Sequence, residues 1–252
     1  MNLPTEHIPL RSHVLLKMDA PLVARAALLG EEEEPSAAMD KGSTCHAILF
    51  NTQTVVVFPG ERRTGKAWEA FEAEHDGCRI VTKGDYELAS RMADAIRRDA
   101  FARPLLEYAT FEQTRMFKLD DRLCRATPDI VGRGEAHIVD VKTCKSAKPE
   151  RFRYNARDYG YHQQLAWYKR AVPAAKDCFI VCVEKAAPYA VSVFRLSPRC
   201  LAKGDALNMR AFQRFRECER TGHWPGYTEG VVELDIPDWP EEAALVALEP
   251  AA

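Results

Sequence analysis

The chain has 252 residues, of which 46% are hydrophobic and 29% are charged, with a formal net charge of −2 and a sequence pI of about 6.4. This composition is typical of a soluble globular protein, and it excludes a uniformly basic protein that coats nucleic acid. Any contact with DNA would therefore require a local basic patch. No segment near Met1 resembles a signal peptide and no apolar stretch could cross a bilayer, so we expect a cytoplasmic protein without a membrane partner.

The length is consistent with one larger domain over residues 1–252, with its core at about 108–196, a helical part at 1–107, and a helix and tail at 197–252. After an extended start, apolar periodicity predicts helices at 20–29, 36–50 and 83–98. It also predicts a strand at 55–58 and a short helix at 101–108. Gly42 is unfavourable inside a helix, which indicates the close approach of another element. Arg63 and Lys66 lie in a basic segment that is either a solvated helix start or a contact for phosphate groups.

The next stretch predicts three consecutive antiparallel strands, at 110–119, 123–131 and 136–143. Side chains alternate along a strand, so Asp140 and Lys142 point to one face, opposite to the intervening Val141. A Gly-Arg-Gly turn folds this strand back beside the one that carries Asp129. Asp129 and Asp140 can therefore approach each other across the strand pair.

Two neighbouring carboxylates repel each other unless a hard divalent cation lies between them. Lys142 would then be a second positive charge, able to position or deprotonate a water and to stabilise charge that develops on a phosphate. An isolated Asp-x-Lys tripeptide more commonly lies on a solvated hairpin face and pairs weakly. Pro128-Asp129, one hairpin earlier, favours the functional interpretation.

The residues that follow combine basic and aromatic side chains, which suits a groove for phosphates and unstacked bases. The candidate DNA contacts here are Lys145, Lys148, Arg151, Arg153 and Tyr161. The alternative is a solvated helix whose basic side chains extend to water. A helix at 161–171 then places Gln164 and Tyr168 on one face, beside His162, which has no assigned role. Two strands at 178–184 and 189–196 and an amphipathic helix at 201–220 follow.

Pro128-Asp129 followed by Asp140-Val141-Lys142 resembles the motif of the PD-(D/E)XK nuclease superfamily, with Asp in the second acidic position. Gln164 and Tyr168 are similar to the Gln-x-x-x-Tyr of its exonuclease branch. The resemblance to the phage-type exodeoxyribonuclease VIII (RecE-like) group covers most of the chain, through three further segments at Gly42–His46, Arg63–Trp68 and Trp224–Tyr227.

This resemblance implies an α/β fold with the restriction-endonuclease-like core, in which a central mixed five-stranded sheet is flanked by helices, with helical additions at both ends. It also implies a site for Mg²⁺, with Mn²⁺ as the alternative, whose ligands are His46, Asp129, Asp140 and the backbone carbonyl of Val141. Without the resemblance, His46 would be an ordinary core or surface histidine.

The same resemblance implies roles for four further residues. Lys142 would prepare the attacking water, and Gln164 and Tyr168 would order the substrate or the nucleophile. Glu112, predicted in the first of the three strands, would act in the site through water or a second metal, and otherwise it is an edge-strand surface carboxylate.

The eight cysteines are most simply buried small hydrophobes of a reducing compartment. Some nucleases of this superfamily hold an iron–sulfur cluster with a tight group of cysteines behind the nuclease motifs. We expect no iron–sulfur cluster, because the corresponding cysteines are too widely spaced, at Cys178, Cys182, Cys200 and Cys218.

The expected function is a metal-dependent DNA exonuclease that hydrolyses phosphodiester bonds from the ends of linear double-stranded DNA, 5′ to 3′, in phage-type homologous recombination. By the same resemblance we expect a homo-oligomeric ring, a single-strand annealing recombinase as partner, and a bacterial, phage or prophage origin. Two alternatives stay open, namely an endonuclease or single-strand-specific nuclease on the same core, and a catalytically inactive DNA-binding module.

Overall fold

The computed structural model describes residues 5–31, 37–60 and 63–236, so the last part of the predicted tail, residues 237–252, lies outside the described part. Within these ranges the α-helices are α1 (Ser12–Leu15), α2 (Pro21–Leu29), α3 (Ala37–Phe50), α4 (Lys66–Glu74), α5 (Lys83–Arg98), α6 (Arg103–Leu106), α7 (Pro149–Asp158), α8 (Tyr161–Ala171) and α9 (Pro198–Thr221). The strands are β1 (Val55–Val57), β2 (Arg79–Val81), β3 (Thr110–Phe111), β4 (Arg115–Leu119), β5 (Arg122–Ala126), β6 (Ile130–Val131), β7 (His137–Cys144), β8 (Asp177–Glu184) and β9 (Val191–Arg195). In the described ranges, no helix has the length and apolar character needed to cross a membrane.

The central sheet has five strands in the order β3-β6-β7-β8-β9. β7 pairs antiparallel with β6 and parallel with β8, and β8 pairs antiparallel with β9. The connection between the two parallel strands runs through α7 and α8, because parallel neighbours require a long crossover. This arrangement confirms the predicted mixed five-stranded sheet with flanking helices.

Strand β7 separates two apolar clusters that lie on the two faces of the sheet. Val139 and Val141 pack with side chains of α3 and α5, whereas Ile138 packs with side chains of α8 and α9. Asp140 and Lys142 share the face of Ile138, as the alternation of a strand predicts. Functional side chains can therefore reach this strand from α3 on one side and from α8 on the other.

Two of the predicted strands are each divided in the structure. The stretch at 110–119 forms β3 and β4, and the stretch at 123–131 forms β5 and β6, so that β4 and β5 make a separate hairpin. The prediction that Glu112 lies within a strand is wrong, because it lies between β3 and β4 with φ 47°. Pro128, which has no N–H to donate to a ladder, interrupts the partner strand opposite this point. The hairpin then packs on α8, where the ring centroids of Phe117 and Trp167 are 5.0 Å apart.

Two short elements also differ from the sequence predictions. Helix α1 forms where an extended segment is predicted, and β2 forms where no strand is predicted. β2 pairs in parallel with β1 over only three residues, Val55–Val57 with Arg79–Val81. A strand this short carries no periodic pattern that a sequence could show.

Gly204 lies where α9 packs against α8. A Cβ atom at this position would lie 2.2 Å from the backbone oxygen of His162. Gly204→Ala should therefore lower the free energy of unfolding by about 1–3 kcal/mol, because the overpacking outweighs the gain in helix propensity. The control is Gly84→Ala in α5, where a Cβ would meet nothing within 4 Å, and this variant should not be destabilised. Equal unfolding free energies of the two variants in urea titrations would contradict the close helix approach.

Candidate active site

The elements around β7 bring the predicted site residues together from distant parts of the chain. The contributions are His46 from α3, Glu112 from the turn after β3, Asp129 from the residue before β6, Asp140 and Lys142 from β7, and Gln164 and Tyr168 from α8. His46 and the residue that its ring contacts, Val141, are 95 positions apart in sequence. The site is therefore a product of tertiary packing and not of one local motif.

The imidazole of His46 has a defined environment at each nitrogen. Nε2 lies 3.0 Å from the backbone oxygen of Val141, while Nδ1 lies 3.7 Å from a carboxylate oxygen of Glu112 and 3.7 Å from one of Asp129. When Nε2–H donates to the carbonyl, the Nδ1 lone pair faces two negative charges, which favours a proton or a cation between them. Burial lowers the pKa of His46, but the charge of Asp129 and the contact with Glu112 outweigh this effect and raise the pKa.

The carboxylates of Glu112 and Asp129 are each held by a second contact. Thr52 Oγ1 donates to Glu112 Oε2 at 2.5 Å, and the backbone N–H of Val141 donates to Asp129 Oδ2 at 2.6 Å. The contact with His46 lowers the pKa of Glu112, although partial burial opposes this shift. Each carboxylate therefore has one oxygen engaged by the protein and the other directed towards His46.

Asp140 and Lys142 form a buried ion pair. The Asp140 side chain is 1% exposed and its Oδ2 lies 2.8 Å from Lys142 Nζ, yet neither carboxylate oxygen accepts a well-directed hydrogen bond from the described residues. Burial raises the pKa of Asp140, although the Lys142 charge opposes this effect. Burial lowers the pKa of Lys142, but the charges of Asp140 and Asp129 outweigh it and raise the pKa. Lys142 is therefore an ammonium ion at neutral pH.

Helix α8 fixes the position of the Lys142 ammonium. Lys142 Nζ donates to Gln164 Oε1 at 3.0 Å, and Gln164 Nε2 donates to the Tyr168 hydroxyl at 2.7 Å. The ammonium also lies 4.9 Å from the centroid of the Tyr161 ring. Burial raises the pKa of Tyr168 well above its usual value, so this phenol stays protonated. In this arrangement Tyr168 orients Gln164, and Gln164 orients Lys142.

His46, Glu112 and Asp129 each offer a ligand atom within 4.8 Å of the others. These donors, together with the buried and incompletely bonded oxygens of Asp140, fit a hard divalent cation such as Mg²⁺ or Mn²⁺. The backbone oxygen of Val141 also borders this group, and a carbonyl oxygen keeps a second lone pair after it accepts the His46 hydrogen bond. Glu112 is thus grouped directly with His46 and Asp129, whereas the Asp140 carboxylate lies against Lys142.

The close approach that Gly42 predicts is present in the structure. A Cβ atom on Gly42 would lie 3.2 Å from Thr143 Oγ1, so α3 passes very near to β7 at this point. His46 lies one helical turn further along α3 and reaches the backbone of Val141. The glycine therefore sets the spacing that brings the imidazole to the carboxylates.

Two depressions in the surface meet at His46. The larger, of about 780 Å³, is the candidate catalytic cleft, and its lining includes Met39, His46, Lys142, Lys145, Asn155, Tyr159, Tyr161 and Lys185. The smaller, of about 250 Å³, includes His46, Thr52, Gln53, Arg79 and Glu112. The sequence predictions missed Thr52, Arg79 and Lys185, since none of them belongs to a motif or a periodic pattern.

The predicted DNA contacts are distributed over several surfaces. Lys145 and Tyr161 line the catalytic cleft, and the exposed Lys148 and Arg151 lie at the start of α7. Arg153 lines a second cleft, on another side of α7. The exposed pair Arg63 and Lys66 lies at the start of α4, where the Arg63 guanidinium is 5.8 Å from the centroid of the Trp68 ring.

His162 contributes to the second cleft, together with Arg153, Phe194 and Lys203. Burial lowers the pKa of His162, so the imidazole is neutral at neutral pH. Its backbone oxygen is the atom that α9 approaches at Gly204. The surroundings of His162 are those of a packing residue between α7, α8 and α9.

The sheet order, the Asp-Val-Lys strand and the adjoining His, Glu and Asp side chains define a domain of the PD-(D/E)XK class. The chain belongs to the family described as a PDDEXK-like domain of unknown function (DUF3799), whose model matches residues 15–234. This membership confirms the superfamily that Asp129, Asp140 and Lys142 indicate in the sequence.

A solved structure with a TM-score above 0.5 supports the same fold. A candidate exonuclease from Eubacterium rectale is similar over 94% of this chain and 97% of its own, with 15% identity and a TM-score of 0.67. A phage related exonuclease from Haemophilus somnus 129PT is matched over 86% of this chain and 97% of its own, with 12% identity and a TM-score of 0.41. No curated protein sequence matches the chain.

A divalent cation should stabilise the protein through Glu112. We expect Mn²⁺ or Mg²⁺ at 100 times its dissociation constant to add about 2.7 kcal/mol to the unfolding free energy and to raise the melting temperature. Glu112→Gln should lose most of this metal-dependent rise, because a charged ligand is replaced by a neutral amide. Glu87→Gln, which changes an exposed carboxylate on α5, is the matched control. An undiminished metal-dependent rise in Glu112→Gln would show that Glu112 is not a ligand.

Proposed function

We propose that the protein is a metal-dependent deoxyribonuclease that removes nucleotides from the ends of linear double-stranded DNA. The observation that carries this proposal is the grouping of His46, Glu112 and Asp129 beside the buried Asp140–Lys142 ion pair. Membership of the PDDEXK-like family supports the same chemistry.

The mechanism follows from what each residue can hold or stabilise. His46, Glu112, Asp129 and Asp140 would hold Mg²⁺ or Mn²⁺, which when bound polarises the scissile phosphate and makes water a stronger nucleophile. The Lys142 ammonium lines the same cleft and stabilises negative charge that develops on the phosphate during attack. The raised pKa of Lys142 keeps the side chain protonated. Lys142 is therefore suited to stabilising this charge and to positioning water, and not to removing a proton from water. Gln164 keeps the ammonium directed at the reacting group.

The mode of cleavage that we propose is exonucleolytic, from 5′ to 3′, and it serves phage-type homologous recombination. Its basis is the resemblance of Gln164 and Tyr168 to the exodeoxyribonuclease VIII group, and it agrees with the exonuclease name of the Eubacterium rectale protein. As in that group, the chain would act as one nuclease domain over residues 1–252, in a homo-oligomeric ring, with a single-strand annealing recombinase as partner.

Removal of either charge of the buried pair should slow hydrolysis strongly. Lys142→Ala and Asp140→Asn are each expected to lower the rate of cleavage of an end-labelled linear duplex with Mg²⁺ or Mn²⁺ by a factor of about 10² to 10³ or more. Lys142→Ala leaves charge at the phosphate uncompensated, whereas Asp140→Asn removes a charged ligand of the cation. Lys118→Ala removes an exposed lysine of the β4–β5 hairpin and should cleave normally. Normal cleavage by Lys142→Ala would refute the proposed role of the lysine.

The requirement for a DNA end can be tested with two forms of one plasmid. Linear plasmid should be degraded with Mg²⁺ or Mn²⁺ present, whereas covalently closed circular plasmid should persist, because an exonuclease needs a terminus. A duplex labelled at one 5′ end should release the label in the first products if the direction is 5′ to 3′. Cutting of the closed circle would instead identify an endonuclease on the same core.

A further inference from the structure

Two tyrosines extend from Lys142 along one wall of the catalytic cleft. The Tyr161 ring lies under the Lys142 ammonium, 4.9 Å from its centroid to Nζ. The Tyr159 ring stacks beside Tyr161, with centroids 5.8 Å apart and planes inclined by 25°. Tyr159 is 64% exposed, although it lines a cleft otherwise rich in charge. Its ring is thus available on the substrate side of the stack.

The backbone between these tyrosines is a hydrogen-bonded turn, in which the Gly160 N–H donates to the Arg157 oxygen at 3.1 Å. Gly160 joins α7 to α8 with φ +65°, and a Cβ there would lie 2.5 Å from Leu16 Cδ2. Tyr161 also packs on the buried Phe152, whose ring centroid is 6.0 Å away. A ring that is held by packing before a ligand binds loses little conformational entropy on binding. The stack therefore resembles a preformed platform more than a mobile surface side chain.

The lining of the cleft includes a second exposed apolar side chain. Met39, on α3, is 62% exposed and lines the same cleft as Tyr159 and Lys145. The lysines would bind phosphate oxygens. Neither a phosphate nor a sugar hydroxyl explains the exposed Tyr159 ring and Met39 thioether. A nucleobase does, since every base has a flat face that stacks on aromatic rings.

We propose that Tyr159, together with Met39 of the same cleft, forms a subsite for an unpaired nucleobase next to the scissile phosphate. The cleft volume of about 780 Å³ suits a ligand of the size of one or two nucleotides and not a duplex. The proposal rests on the nuclease function and refines it, because the strand being cut must enter the cleft alone. Duplex ends would then react after fraying, and single-stranded overhangs would react faster than blunt ends.

A double-mutant cycle between ring and base tests this subsite. The protein changes are Tyr159→Ala and Tyr159→Phe, and the DNA change is an abasic residue at the terminal positions of a single-stranded end. Tyr159→Ala should raise KM on normal DNA by about 5- to 150-fold with little change in kcat, whereas Tyr159→Phe, which keeps the ring, should stay close to the native chain. On abasic DNA the native chain and Tyr159→Ala should have nearly equal KM values.

The control is Tyr154→Ala, which removes a 52% exposed tyrosine from the same helix, where it contacts Arg153 and Arg157. This variant should show the native preference for a base. Additive losses in the cycle, with Tyr159→Ala as sensitive to base removal as the native chain, would overturn the subsite. A blunt end cleaved as fast as an overhang would do the same.

Failure of the nuclease function itself would be distinguishable from failure of the subsite. If the native chain cleaves no DNA with Mg²⁺ or Mn²⁺, the cycle can be measured as binding, with 2-aminopurine as the terminal base in Ca²⁺. Stacking on Tyr159 should quench its fluorescence, and Tyr159→Ala should lose the quenching while Tyr154→Ala keeps it. A quenching signal that persists in Tyr159→Ala would place the base elsewhere.

Discussion

The balance of charge around β7 is the constraint on which the site depends. Glu112, Asp129 and Asp140 bring three carboxylates to one region, and Lys142 supplies one ammonium. With His46 neutral, two negative charges remain uncompensated among these groups. Each buried charge without a partner costs several kcal/mol, so a divalent cation restores neutrality where a protonated histidine does so only in part. The same excess of negative charge raises the pKa of His46, whereas the raised pKa of Asp140 is caused mainly by burial, with a further contribution from the charge of Asp129.

The architecture of the core could be predicted from the sequence because the residue pattern of β7 indicates which of its faces is apolar and which is charged. Val139 and Val141 alternate with Asp140 and Lys142, which fixes both the strand and the face that carries chemistry. The five-stranded mixed sheet follows from the family resemblance and is present in the structure. The separation of the β4–β5 hairpin from β3 and β6 was not predicted, because it depends on packing against Trp167 and on the missing N–H of Pro128.

The residues of the candidate site could be predicted from the sequence, but the contacts between them could not. Asp129 and Lys142 are indicated by motif spacing and His46 by the family resemblance, and the structure brings the three residues together. The left-handed conformation at Glu112, which turns its carboxylate towards His46, arises between two strands and has no sequence signal. Thr52 and Arg79 come from a loop and a three-residue strand, where no pattern indicates proximity to the cleft. Such contacts depend on how distant elements pack, which spacing along one chain does not encode.

The small separation between α3 and β7 at Gly42 has a consequence for how this protein can vary. Any larger residue at position 42 meets the Thr143 hydroxyl, and because the strand is held on both sides by its neighbours, either this side chain or the helix must yield. An outward shift of the helix by a few tenths of an ångström would be passed to the imidazole one turn away, while the carboxylate ligands on the other elements stay in place. The strength of cation binding in this fold is therefore adjustable from a position that never touches the ion.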